Sequence, residues 1–87
     1  MLNFTDAQEM QKLHPKTFEA PTKRTLSALK VGDSVKVSHG MERFWTLITK
    51  IKGNKIKATV DNVVFENQPF KLGDEIEFEK RHIYQTM

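Results

Sequence analysis

Leu29-Lys30-Val31-Gly32-Asp33-Ser34-Val35-Lys36-Val37 returns later in the chain as Phe70-Lys71-Leu72-Gly73-Asp74-Glu75-Ile76-Glu77-Phe78. Lys, Gly and Asp recur identically, and every apolar position stays apolar. Each copy reads as a turn that launches a strand. The Gly permits a positive φ, and the Asp side chain can bond backbone just beyond it. Alternation follows at once, with Val35 and Val37 in one copy and Ile76 and Phe78 in the other.

Working outward, strands are expected over Asp33 to Ser38, Glu42 to Ile51, Lys55 to Val60 and Glu75 to Glu79. His39-Gly40-Met41 and Lys52-Gly53-Asn54 read as the turns between the first three. In the longest strand, Trp45, Leu47, Thr49 and Ile51 share one face, and Phe44, Thr46, Ile48 and Lys50 the other. The Trp45 face is expected to be the core face. Ile56, Ala58 and Val60 alternate inward on the next strand, and Glu75, Glu77 and Glu79 line the solvent face of the last. Val63-Val64-Phe65 is a short apolar piece before a turn at Asn67-Gln68-Pro69, and His82-Ile83-Tyr84 can close the sheet as a strand or a one-turn helix.

Ahead of the strands, Thr5 or Asp6 can cap a helix that ends at His14-Pro15, with Glu9 three residues after Asp6. Residues 15–28 carry Pro15 and Pro21 with little periodicity and read as an extended arm anchored by Phe18 and Leu26. The expected organisation is therefore a helix and arm over 1–28 and a small β domain over 29–87, together one compact unit. The fold class is mainly β (α+β): a small SH3-like barrel or rolled antiparallel sheet with a short N-terminal helix.

Charge is unevenly placed. Between Lys36 and Lys57 there are six basic residues (Lys36, Arg43, Lys50, Lys52, Lys55, Lys57) against one acidic, Glu42. From Asp61 to Glu79 there are six acidic residues against one basic, Lys71. The two blocks can meet as cross-strand pairs, or present a two-signed surface to a partner. With no Cys there is no disulfide and no thiol nucleophile, which fits a reducing, cytoplasmic setting. The polar start reads as no signal peptide, and no stretch approaches the ~20 apolar residues of a membrane span.

His14-Pro15-Lys16-Thr17-Phe18, Pro21, the first Gly-Asp phrase, Glu42-Arg43-Phe44-Trp45, and Gly73-Asp74 leading to His82-Ile83 together resemble the YegJ-like family of small bacterial proteins of unknown function. The resemblance runs from about Met10 to Tyr84. It implies a small β-rich domain and carries no catalytic activity to transfer. Where members often have Asn-x-Pro after strand three, this chain has Asp61-Asn62-Val63-Val64. The role expected of such a lone domain is that of a bacterial or phage-encoded regulator, inhibitor or immunity-like factor.

His14, His39 and His82 lack the spacing of a preformed metal site, and the four glycines lie singly at turns rather than in a phosphate loop. The glutamates of the last strand lie about 7 Å apart at alternate positions. That separation suits glycosidase carboxylates, but a flat strand gives no pocket to raise a pKa. A hydrolase or metal enzyme built from His39, Glu42 and His82 ranks last, and no cofactor or metal is expected. The candidate binding residues are Lys36, Arg43, Phe44, Lys50, Lys52, Lys55 and Lys57. An aromatic flanked by cations suits a protein hot spot or a base-stacking platform, though Phe44 can also be covered by the N-terminal helix. The lysine hairpin can touch phosphates or guard an edge against aggregation. The expected function is a non-enzymatic protein-interaction module, monomer or homodimer, with nucleic-acid binding through the Lys hairpin together with Phe44 or Trp45 as the alternative.

Overall fold

A computed structural model describes residues 3–40, 42–64 and 68–87. Met41, Phe65 and Asn67, which the sequence places in turns and in the short apolar piece, lie outside the described residues. Helix α1 spans Ala7–Leu13 and α2 spans Lys23–Ser27. The strands are β1 (Ser34–His39), β2 (Glu42–Lys52), β3 (Lys55–Val60), β4 (Glu75–Glu79) and β5 (Gln85–Thr86), with a 3-10 turn at Lys80–His82 between the last two. They form one antiparallel sheet in the order β4-β3-β2-β1-β5. The sheet is rolled and not closed, because β4 and β5 are its two ends.

Both copies of the repeated phrase build the same device. Gly32 and Gly73 have φ of 97° and 92°, conformations that a side chain would strain. Asp33 N–H donates to Lys30 C=O at 3.0 Å, and Asp74 N–H to Lys71 C=O at 3.0 Å. The Asp carboxylate reaches backward rather than onward: it accepts from Lys30 N–H at 2.9 Å in one copy and Lys71 N–H at 3.1 Å in the other. Each turn then docks on a strand of the central β2–β3 hairpin. Gly32 N–H donates to Ile48 C=O while Ile48 N–H donates to Asp33 C=O. Gly73 N–H donates to Val60 C=O while Val60 N–H donates to Asp74 C=O.

The core lies on one face of the sheet, where Val35, Val37, Phe44, Ile48, Ile56, Ala58, Val60, Ile76 and Phe78 meet Phe4, Leu26, Phe70 and Ile83. Complete burial of such side chains is worth roughly 1.5–3 kcal/mol each, against a large loss of chain entropy. Phe4 anchors the N-terminal segment, bridging to His39 while Thr5 N–H bonds Ser38 C=O at 2.9 Å. Asp6 caps α1 by accepting from Glu9 N–H at 3.0 Å, and the helix stops at His14 before Pro15. Gln8 Nε2 and Gln11 Oε1 tie α1 to Pro21 C=O and Ala20 N–H.

Two further expectations are corrected. The arm over 15–28 is not extended throughout: α2 occupies its second half, capped by the Thr22 hydroxyl on Thr25 N–H at 3.2 Å. Five residues are too few for periodicity to show, and a Thr22–Thr25 cap is the one local signal that would have marked the helix. The core face of β2 is also the other one. Phe44, Thr46 and Ile48 are buried, whereas Leu47 is exposed and Trp45 half-buried.

Candidate functional site

Parity along β2 decides what faces outward. His39 pairs with Glu42, which sets Val37 opposite Phe44 and Val35 opposite Thr46. Since Val35 and Val37 are buried, Phe44 and Thr46 must be too, and the Thr46 hydroxyl is satisfied by Val35 C=O at 3.0 Å. The second hairpin pairs Lys52 with Lys55 and so Ile51 with Ile56, which turns odd-numbered residues inward. The two demands conflict, and a register shift between Ile48 and Lys50 resolves them by leaving Thr49 as the extra residue.

That bulge has a consequence for the surface. It turns Lys50 and Lys52 away from the core, onto the outward face already holding Arg43, Trp45 and Leu47. Lys36 lies outward between buried Val35 and Val37, and Lys55 and Lys57 flank buried Ile56. All six cations of the basic block therefore share one face of the sheet. Lys36 sits directly opposite Trp45, its Nζ 5.0 Å from the indole ring centre. Arg43 lies over the Tyr84 ring at 4.7 Å, and Phe18 meets the same ring edge-on at 4.8 Å. Such cation–π contacts contribute about 0.5–1 kcal/mol each at exposed sites.

Further along this face, like charges oppose each other, with Lys50 facing Lys57 and Lys52 facing Lys55. Such pairs weaken a sheet. On the far side, β4 puts Glu77 opposite Lys57 and Glu79 opposite Lys55, so the basic block does meet the acidic one as cross-strand partners. Lys36, Arg43, Lys50 and Lys52 have no acidic residue opposite them in the ladder.

Of the residues singled out from sequence, Lys36, Arg43, Lys50, Lys52, Lys55 and Lys57 are brought together. Phe44 is not: it is 2% exposed and packs on Phe70 at 5.1 Å between ring centres, so it offers no contact surface. Trp45 takes its place on the outward face. Tyr84 is the residue that sequence reasoning missed as a site. Its N–H bonds Lys36 C=O at 2.7 Å, an approach that depends on the chain returning to β1 through β5.

His39, Glu42 and His82 are held by structural bonds. His39 Nδ1 meets Gln68 Oε1 at 2.7 Å, and Gln68 Nε2 donates to Glu42 at 3.0 Å. His82 Nδ1 accepts from Glu79 N–H at 3.0 Å, which leaves the ring proton on Nε2. The Phe4 ring lies 5.3 Å from that of His39 and 6.0 Å from that of His82. Burial holds the His82 pKa below its ordinary value, helped by the nearby Arg81 charge against Glu79 and Asp6. Arg81 bonds Asp6 at 2.7 Å and Glu79 at 3.1 Å, pinning the 3-10 turn to the start of α1. Arg81 keeps the Glu79 carboxyl low, chiefly through its hydrogen bond. At Asp6, burial pushes upward but is outweighed by the bonds from Glu9 N–H and Arg81.

Among the described residues, no three His, Asp or Glu side chains group as a metal site. No described helix is long and apolar enough to cross a membrane. Comparison with family models, with curated proteins and with solved structures finds no match to this chain.

Proposed function

We propose that the chain is a non-enzymatic protein-interaction module whose contact surface is the outward face of the sheet, centred on Trp45, Arg43, Tyr84 and Lys36. The supporting observation is that a tryptophan, a tyrosine and an arginine, the side chains enriched at binding hot spots, lie together outside the core. Their rings are already held by Lys36, Arg43 and Phe18, which lowers the entropy lost on docking. The face carries both signs, cations over β1 to β3 and Glu75 and Glu77 on β4. This arrangement suits a partner surface of complementary sign better than a uniformly anionic polymer. A role as a bacterial or phage-encoded regulator or inhibitor is part of this proposal and rests on the smallness of the domain, not on a known function of the family it resembles. A cytoplasmic setting accords with the lack of Cys, and cell fractionation checks it.

One observation favours nucleic acid as the second reading: four hairpin lysines point to the same face, in like-charged pairs that weaken the sheet. Phosphates would relieve that repulsion.

Affinity capture with wild type and with Trp45→Ala/Arg43→Ala, each with and without nuclease, tests both readings. A protein partner kept through nuclease and lost with the double variant is the expected result. Binding lost on nuclease treatment, and reduced instead by Lys50→Glu/Lys52→Glu, would move the function to nucleic acid. Retention of the partner by the double variant would remove the outward face from the account.

A further inference from the structure

A second surface, separate from the Trp45 cluster, lies along β4. Among the described residues, this strand ends the sheet and has β3 as its one neighbour. In an antiparallel pair, residues alternate between those whose N–H and C=O face the partner and those whose groups face away. Val60 N–H bonds Asp74 C=O at 2.8 Å and Lys80 N–H bonds Asn54 C=O at 2.9 Å, which fixes the phase at both ends of β4. Even-numbered residues therefore face β3, and the backbone groups of Glu75 and Glu77 point away from the sheet. The next outward N–H, that of Glu79, is taken by His82 Nδ1, so the usable edge stops there. Beside it runs a cleft of about 460 Å³ whose lining joins the apolar Phe4, Ile76 and Phe78 to Glu75, Glu77 and Glu79, with Lys55 and the neighbouring His82.

We propose that this edge accepts, as a sixth strand, an extended segment of a partner protein in which cationic and apolar side chains alternate. The other edge of β4 supplies the template. There it already holds Lys55-Ile56-Lys57-Ala58, with Lys55 opposite Glu79, Lys57 opposite Glu77, Ile56 opposite Phe78 and Ala58 opposite Ile76. A strand added on the free edge meets the same two rows, glutamates on one face and apolar side chains with the Phe4 wall on the other. A second copy docking through its own β4 would set glutamates against glutamates, which disfavours self-pairing. The acidic row thus excludes this chain's own edge while admitting a basic one. Toward the sheet's other end, β1 has its outer edge covered by Phe4 and Thr5 above and by β5 below, and β5, the end strand, is two residues long.

The test titrates the full ¹⁵N-labelled chain with a blocked seven-residue peptide of alternating lysine and valine, and with its glutamate–valine counterpart. Shifted amide signals and slowed hydrogen exchange at Glu75 and Glu77 are expected with the lysine peptide. The glutamate peptide should bind about tenfold more weakly or worse. Glu75→Gln/Glu77→Gln, both at exposed positions, should keep the fold and weaken the lysine peptide. Equal binding of the two peptides, no response at Glu75 and Glu77 at millimolar peptide, or an unchanged affinity in the double variant would each overturn the proposal. Variants at Trp45 and Arg43 should leave this binding intact, so the two surfaces fail or stand separately.

Discussion

The two copies of the Gly-Asp phrase fold into the same turn and then lead different lives. Each has a glycine near φ 95°, an aspartate bonding back to the preceding lysine, and a docking point on the central hairpin. Beyond the turn, β1 alternates Val35 and Val37 with Ser34 and Lys36, while β4 alternates Ile76 and Phe78 with Glu75 and Glu77. The inward residues do equivalent work in the core. The outward ones differ in charge, and the edges differ too, since among the described residues β1 is paired on both sides and β4 on one. One backbone device thus feeds a cationic, aromatic face in one half and an acidic edge in the other.

The largest break in the comparison comes just before the turns. Phe70 is 7% exposed among Phe4, His39 and Phe44, whereas its counterpart Leu29 only packs against the core margin. Phe70→Ala should cost about 3–5 kcal/mol in urea denaturation, and Leu29→Ala less than half of that. Equal costs would mean that the two side chains are buried alike.

The glycines sharpen the likeness. Apart from the glycine and its chain neighbours, no heavy atom lies within 4 Å of where a Cβ would stand on Gly32 or Gly73, so only backbone strain acts. Gly32→Ala and Gly73→Ala should each cost about 1–2 kcal/mol, and nearly the same amount. A large inequality in thermal or urea unfolding would show that the turns differ. The aspartates come next. Asp33→Ala and Asp74→Ala each lose one acceptor for a backbone N–H and should cost about 1 kcal/mol. Asparagine at either site should restore part of the loss in the same assay.

The smallest effect separates the copies by pH. Where β4 ends, the Glu79 N–H depends on an unprotonated His82. Because the folded His82 pKa lies below the unfolded value of 6.5, its contribution is complete above about pH 6.5 and is lost as pH falls through the depressed folded value. Urea midpoints should decline over that window and flatten in His82→Gln. An unchanged slope in the variant would assign the decline to other groups.

Much of this was legible. The repeated phrase marked both turns, the capped helix was bounded by Asp6 and Pro15, and β4 was read to the residue. The face of β2 was misread because both sides carry large apolar residues, Trp45, Leu47 and Ile51 against Phe44 and Ile48. Hydrophobicity alone could not choose between them. The loop lengths could have: two tight hairpins impose opposite parities on β2, and only an extra residue between them reconciles the two. Six cations were found from composition, but their gathering on one face needed that bulge. His82-Ile83-Tyr84 was read as able to close the sheet, but the meeting of Tyr84 with Arg43 depends on that return being made to β1, which no local pattern announces.

Everything assigned to the outward face rests on Trp45 standing outside the core, and the chain carries a single tryptophan to report it. The decisive measurement is quenching of its fluorescence by iodide and by caesium in the native protein. With the indole half-exposed and Lys36 Nζ 5.0 Å from its ring, iodide should quench well, caesium poorly, and Lys36→Glu should reverse the order. Emission of a dry indole that neither ion reaches until the protein unfolds would put Trp45 in the core and contradict the account.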